Sequence, residues 1–178
     1  MRIINELLPG VFLIEPKVFM DHRGNFVKSF HIGQFKELGI AFLPIEEFYS
    51  TSHLGVLRGM HFQLPPHDHA KLVFCIRGRG LDVFVDLRKD KGTFGRFASA
   101  ELSAGNHHIM YLPAGIAHGF LALEADSVMV YKTSTVHAPS HDTGIRWDSF
   151  GFDWGITDPV ISTRDAAFPR LEEFVSPF

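Results

Sequence analysis

Polar and apolar positions alternate along this chain in short runs of period two, and the runs are cut by Gly, Pro and Asp. Successive side chains of a strand face opposite sides, so this rhythm predicts β-strands joined by tight turns. It places strands at Val11–Glu15, Asn25–Phe30, Phe42–Thr51, Val56–Phe62, Lys71–Ile76, Leu81–Leu87, Phe94–Leu102, His108–Leu112, Gly119–Ala122 and Ser127–Thr133. Turn markers fall between them, at Arg77-Gly78-Arg79-Gly80, Ala104-Gly105-Asn106 and Pro113-Ala114-Gly115. Helical spacing is confined to Ile32–Leu38, where Phe35 and Leu38 stand three apart, and to a short turn near Arg164–Ala167. The tail, Asp158–Phe178, has mixed polarity and is expected to wrap the strands as loops. No repeat, low-complexity tract or linker divides the chain, so residues 1–178 are expected to form one all-β domain, a barrel or sandwich with short peripheral helices.

Two runs depart from simple alternation. Val56–Gln63 reads V-L-R-G-M-H-F-Q, an apolar strand that carries an arginine, a histidine and a glutamine. Polar groups inside a strand need partners or a pocket, because burying one unpaired costs roughly 2–7 kcal/mol. Strict alternation puts Leu57, Gly59 and His61 on one face and Arg58, Met60 and Phe62 on the other. Either face could line a pocket. In Leu81–Leu87, Leu81, Val83, Val85 and Leu87 form an aliphatic face, and Asp82, Phe84 and Asp86 form the other. We read Asp86 as solvated and leave Asp82 open between solvent and a polar pocket.

Composition narrows the classes. With 178 residues and 46% hydrophobic positions the chain can bury a substantial core, and its 18 phenylalanines suit β packing. A formal net charge of −3 gives no global attraction to nucleic acid or to an anionic membrane, so any anion site must be local. No apolar run reaches transmembrane length, and the N-terminus lacks the apolar block of a signal peptide. The single Cys75, inside an apolar strand, reads as a buried inert thiol. A cytoplasmic protein is expected.

The 11 histidines are unevenly placed. Pro113-x-Gly115-x-x-His118 joins two strands and resembles the second motif of the cupin superfamily, which implies a double-stranded β-helix or jelly roll. Many cupins bind a metal through an H-x-H pair, a glutamate and this later histidine. His67-Asp68-His69 has the H-x-H spacing, but Ala70-Lys71-Leu72-Val73-Phe74 follows where the acidic ligand is expected, and a lysine there repels a divalent cation. His67, after Pro65-Pro66, reads as a loop residue, and His69 stands between loop and pocket rim. His22, His31, His53, His107, His108, His137 and His141 read as surface or structural residues. No metal and no other cofactor is expected. A metal-dependent cupin oxygenase or isomerase using His67, His69 and His118 is the rival reading, and a non-catalytic sugar-nucleotide-binding cupin is a second.

His61, Lys71, His118 and Tyr131 each put a polar group on a separate apolar strand. Together they supply the parts for abstracting a proton beside a carbonyl: a base, a group that holds the enolate oxygen, and an acid. The runs around them resemble the dTDP-4-dehydrorhamnose 3,5-epimerase family over nearly the whole chain. The matching runs are Glu15–Phe19, Asp21–Gly24, Val56–Gln63, Lys71–Val73, Asp82–Arg88, Pro113–Phe120, Gly144–Trp147 and Ile161–Asp165.

The resemblance implies an epimerase of a nucleotide-diphospho 4-keto-6-deoxyhexose. It assigns His61 as general base, Asp165 as the carboxylate paired with it, Lys71 as the enolate-stabilising group and Tyr131 as the acid on the opposite sugar face. His118 falls near the sugar. Arg58 and Arg23 hold the diphosphate, Arg23 by reaching across a homodimer interface; for Arg58 to do so beside His61, strict alternation must break near Gly59, which predicts a β-bulge there. Gln63, Lys28 and Glu47 complete the expected substrate-binding set. The departures gather at the nucleotide end: Glu46-Glu47-Phe48-Tyr49 replaces a Gln-Asp/Glu-Asn stretch, Lys28 replaces a glutamate, and Val136-His137 replaces a tyrosine pair. The proton-transfer residues are kept, so the chemistry is better fixed than the identity of the base.

Overall fold

Two antiparallel sheets stacked face to face carry the alternation read from the sequence. The computed structural model describes residues 1–178. Its strands are β1 (Arg2–Leu8), β2 (Val11–Glu15), β3 (Val18–Asp21), β4 (Gly24–Val27), β5 (Glu46–Ser52), β6 (Leu57–Gln63), β7 (Lys71–Arg77), β8 (Arg79–Asp86), β9 (Phe97–Ser103), β10 (Ile109–Leu112), β11 (Ile116–Ala122), β12 (Ser127–Thr133) and β13 (Asp142–Gly144). The helices are α1 (Ile32–Glu37) and α2 (Thr163–Ala166), with single 3-10 turns at Lys89–Lys91 and Leu171–Glu173. One sheet runs β1-β2-β10-β7-β12-β5 and the other β13-β6-β11-β8-β9, while β3 and β4 form a separate hairpin. No helix is long and apolar enough to cross a membrane.

Between the sheets lies a core that includes Val73, Met110 and Met129 from the first sheet and Phe84, Leu102 and Phe120 from the second. Alternation then sends Val83, Val85 and Leu87 to the outer face of the second sheet, where Ile145, Trp154, Phe174 and Phe178 of the C-terminal segment cover them. On the first sheet Ile14, Leu72 and Ile109 face outward and are covered by Phe35 of α1 with Ile40 and Phe42. Each such large side chain contributes about 1.5–3 kcal/mol on burial, so both coverings are stabilising layers. α1 is short, and His31 caps it by accepting from the Gln34 N–H.

The structure corrects the sequence reading in several places. Asp86 is fully buried. Arg88 folds back so that Nε and Nη2 donate to its two oxygens at 2.8 and 2.7 Å, and the Thr93 hydroxyl adds a 2.6 Å bond. Such pairing is what allows an acidic face to point into the barrel. Phe42–Ile45 is not strand, and β5 begins at Glu46. β1, β3 and β13 were not expected: β1 is an edge strand with most residues exposed, and β13 has only three residues, so neither shows a clear alternation.

Candidate active site

A cavity of about 360 Å³ opens between the sheets. β5 contributes Glu46, Phe48 and Ser50, β6 contributes Arg58, His61 and Gln63, and β7 contributes Lys71. His118 and Phe120 of β11, Tyr131 and Thr133 of β12, Asp142 of β13 and Arg164 of α2 complete the wall, with His69 and His137 from loops. Inward positions on six strands therefore converge on one polar chamber.

The break in alternation that brings Arg58 and His61 together is a bulge at Gly59–Met60. His61 pairs with His118 and Arg58 with Phe120, so two steps along β11 match three along β6. Leu57, Met60 and Phe62 pack on the outer layer, leaving Arg58 and His61 to face the cavity. Gly59 has φ +139°, and a Cβ there would lie 2.5 Å from the Gly119 Cα and 3.0 Å from the His118 carbonyl oxygen. Only glycine fits this close crossing of β6 and β11. Arg58 is held at the mouth by bonds from Nε to the Ser52 hydroxyl (3.0 Å) and from Nη2 to the Thr51 carbonyl (3.2 Å).

His61 Nε2 lies 2.9 Å from Asp165 Oδ1. Asp165 is itself fixed: its Oδ2 accepts from the Gly59 N–H at 3.1 Å, and its own N–H is bonded to the Ser162 hydroxyl, the N-cap of α2. Burial raises the Asp165 carboxyl, but the His61 hydrogen bond and charge and the Gly59 N–H outweigh it and bring it down to about 2. For His61 burial dominates and lowers its pKa, with Asp165 opposing. The pair is therefore a carboxylate and a neutral imidazole at neutral pH, with Nε2–H donated to Asp165 and the Nδ1 lone pair left to act as base. Arg164 Nη2 is 3.0 Å from the same Nε2, and its Nη1 donates to Asp142 Oδ2 at 2.6 Å. Nε2 thus faces an acceptor, Asp165, and a donor, Arg164; with the ring proton on Nε2 it donates to Asp165 and the Nδ1 lone pair is the basic one.

Lys71 opens β7 and donates from Nζ to the His61 carbonyl oxygen at 3.1 Å. Burial lowers its pKa from 10.5 to about 8, against opposition from Asp142 and Asp82. Tyr131 stacks on Phe48 with ring centroids 4.9 Å apart and meets the edge of His118 at 6.1 Å. Burial pushes its hydroxyl above the usual phenol range, so it stays protonated through the alkaline range. His118 is buried, and its Nε2 lies 2.7 Å from Asp82 Oδ1. Asp82, left open by the sequence, is thus a pocket-side carboxylate that holds a histidine.

His61, Asp165, Lys71, Tyr131, His118, Arg58 and Gln63 are brought together. Lys28, Glu47 and Arg23 are not. Glu47 points to the other face of β5 and pairs with Lys132, while its neighbour Glu46 faces the cavity and accepts from the His137 N–H. Lys28 is exposed and outside the cavity lining. Arg23 stands at the turn of the β3–β4 hairpin, paired with Asp21 at 2.5 Å, away from this chain's cavity. The sequence reading placed Glu46, Phe48 and His137 only within segments at the nucleotide end and did not single them out, and it missed Asp142 and Arg164. Period-two spacing of Glu46, Phe48 and Ser50 was the available signal for Glu46 and Phe48, and adjacency to Asp165 the signal for Arg164.

The donor set does not fit a metal. His118 is committed to Asp82, His69 Nδ1 lies 3.0 Å from the Gln63 amide, and the His67 ring packs on His141 at 4.4 Å. No group of three or more His, Cys, Asp or Glu side chains is disposed to hold an ion.

Comparison with known proteins identifies the family. The family model described as dTDP-4-dehydrorhamnose 3,5-epimerase matches residues 5–173. The protein of that name from Methanothermobacter thermautotrophicus is 40% identical over 177 residues, covering 97% of this chain and 95% of the relative. The crystal structure of the Bacillus anthracis protein of that name, with TDP and PPi bound, superposes with a TM-score of 0.93 at 34% identity, covering 95% of this chain and 98% of that one. The Legionella pneumophila structure of a dTDP-6-deoxy-D-glucose-3,5-epimerase, in complex with dTDP-4-keto-L-rhamnose, gives 0.92 at 34% identity, covering 98% and 94%. The two-sheet barrel is accordingly of the cupin-like jelly-roll type.

Proposed function

The chain belongs to the dTDP-4-dehydrorhamnose 3,5-epimerase family, and from that membership we propose that its cavity epimerises a nucleotide-diphospho 4-keto-6-deoxyhexose, with a dTDP-linked sugar as substrate. The observation that carries the residue assignment is the convergence of the His61–Asp165 pair, Lys71 and Tyr131 on one chamber. C3 and C5 both flank the C4 ketone, so a proton on either carbon is removable by one base. His61 Nδ1 takes that proton, the C–H electron pair becomes the new C–C double bond, and the carbonyl π pair moves onto the C4 oxygen. The α-proton of a ketone is far less acidic than imidazolium, so stabilisation of this enolate supplies much of the rate. The buried Lys71 ammonium supplies it. Tyr131 then delivers its hydroxyl proton to the opposite face of the carbon, and the configuration inverts. Water resets the pair by taking the proton from His61 and returning one to Tyr131.

Arg58, at the mouth, supplies a guanidinium for the diphosphate, which is a local anion site in a chain of net charge −3. The active assembly is a homodimer. Its support is the β3–β4 hairpin, which exposes Phe19, Met20 and Phe26 around Arg23, and the edge strand β5, which exposes Tyr49. In the dimer Arg23 of one protomer reaches the partner's diphosphate. Light scattering that gives a monomer at micromolar concentration contradicts this. The reaction itself is tested by incubating the protein with dTDP-4-keto-6-deoxyglucose in deuterium oxide and following C3 and C5 by proton NMR. Deuterium entry at one or both carbons is expected, and none at either sinks the proposal.

A further inference from the structure

The proton that Tyr131 gives up leaves a phenolate behind, in surroundings that disfavour one. Burial raises the Tyr131 hydroxyl above the usual phenol range, and the Asp82 charge adds to the rise. A general acid that holds its proton so firmly needs a group that stabilises its anion as the proton leaves. Ser50 stands where such a group is needed. On β5, Phe48 pairs with Tyr131 of β12 and Ser50 pairs with Met129, so Ser50 is the diagonal neighbour of Tyr131. Glu46, Phe48 and Ser50 share the cavity-facing side of β5, and the Tyr131 ring lies along that side, stacked on Phe48 at an interplanar angle of 13°. The Ser50 hydroxyl is buried and has no hydrogen-bond partner. Its neighbours on the wall are committed elsewhere: Ser52 accepts from Arg58 Nε, and Glu46 accepts from the His137 N–H.

A buried hydroxyl without a partner is costly, and its presence beside an acid that must become an anion points to a bond made only during the reaction. Burial closes this oxygen to the substrate, so its acceptor is a protein atom. We propose that Ser50 is a positioning residue for the acid, its hydroxyl donating to the Tyr131 oxygen as the proton leaves and holding the phenolate; this rests on the epimerase reading. The Ser50 hydroxyl, and after it the Arg58 charge, already oppose the rise of the Tyr131 pKa in the resting protein. A hydroxyl turns about its C–O bond, so its hydrogen can follow the charge without moving the backbone. In the step itself the Tyr131 O–H bond breaks and its electron pair stays on the phenol oxygen. The enolate double-bond pair takes the proton at carbon, and the C4 carbonyl re-forms. Ser50 keeps its own proton throughout.

The test follows two rates by proton NMR in deuterium oxide, loss of the α-proton signal and appearance of inverted sugar. It compares wild type, Ser50→Ala, Ser50→Thr, Tyr131→Phe and the double variant Ser50→Ala with Tyr131→Phe, each checked by circular dichroism. Ser50→Ala is expected to slow inversion by roughly ten- to a hundredfold while α-proton loss changes less than about threefold, since a hydrogen bond to a charged group is worth about that much and the His61 step is untouched. Ser50→Thr, which keeps the hydroxyl, is expected to recover most of the inversion rate. Adding Ser50→Ala to Tyr131→Phe should leave α-proton loss unchanged, because no phenolate remains to be held. Four results overturn the proposal: inversion by Ser50→Ala within about threefold of wild type, equal losses in both rates, a Ser50→Thr variant no faster than Ser50→Ala, or a further loss of the same size in the Tyr131→Phe background. Absence of exchange in wild type overturns the epimerase reading instead, and this proposal falls with it.

Discussion

Raising the pH should switch off Lys71 before any other group in the cavity. Its pKa of about 8 lies well below the 10.5 of a free lysine. The displacement corresponds to roughly 3 kcal/mol of differential stabilisation of the neutral amine, at 1.36 kcal/mol per unit. Enolate formation needs the ammonium, so exchange rates at C3 and C5 are expected to fall about tenfold per pH unit above pH 8. Tyr131 does not share that titration, because burial moves it the other way. Loss of fold does not mimic it either. Between pH 8 and 10.5 the unfolded lysine still holds its proton while the folded one has released it, so stability at this site rises with pH in that window. The assay is initial-rate deuterium exchange from pH 6 to 10, with circular dichroism at each pH. Lys71→Met should lower the plateau rate by about 10²–10³, the scale of a lost electrostatic stabiliser, and abolish the alkaline limb. A wild-type profile that stays flat to pH 10, or a Lys71→Met profile that keeps the limb, refutes the reasoning.

The other predictions concern the acid, the bulge and the donor set. Tyr131→Phe should still exchange the α-proton with solvent on the His61 face, yet yield no inverted sugar; NMR of the product separates exchange from epimerisation. Gly59→Ala should destabilise the protein by roughly 2–5 kcal/mol, combining strained backbone at positive φ with a Cβ forced against Gly119, read as a lower urea midpoint. Dialysis against a chelator should leave exchange activity unchanged, since no metal-ligating cluster is built. Loss of activity on dialysis that returns with added divalent metal would favour the cupin oxygenase or isomerase rival.

Much of the architecture was legible because alternation is a local property. β2, β7, β12 and α1 fall within about a residue of their expected bounds, and the role that the family resemblance implies for Arg58, set against strict alternation, pointed to the bulge at Gly59. What local pattern could not carry was pairing across the fold. Asp86 looked solvated because the partners that make its burial tolerable, Arg88 and Thr93, lie past the end of the strand. Glu47 and Glu46 are adjacent and chemically alike, and only the register of β5 against β12 decides which of them enters the cavity. Arg23 stands on a hairpin with no pairing to either sheet, so its reach depends on a second copy of the chain. The orientation of the Gln63 amide was hidden for the same reason, since it is set by the backbone N–H of Ala138, 75 residues away.

The central claim is that His61, oriented by Asp165, is the group that removes the carbon-bound proton. Its most direct test is His61→Asn in the deuterium-exchange assay with dTDP-4-keto-6-deoxyglucose, alongside dTDP affinity and circular dichroism. The account predicts a folded variant that binds dTDP as wild type does and shows no measurable deuterium at C3 or C5. Exchange at either carbon at the wild-type rate contradicts it.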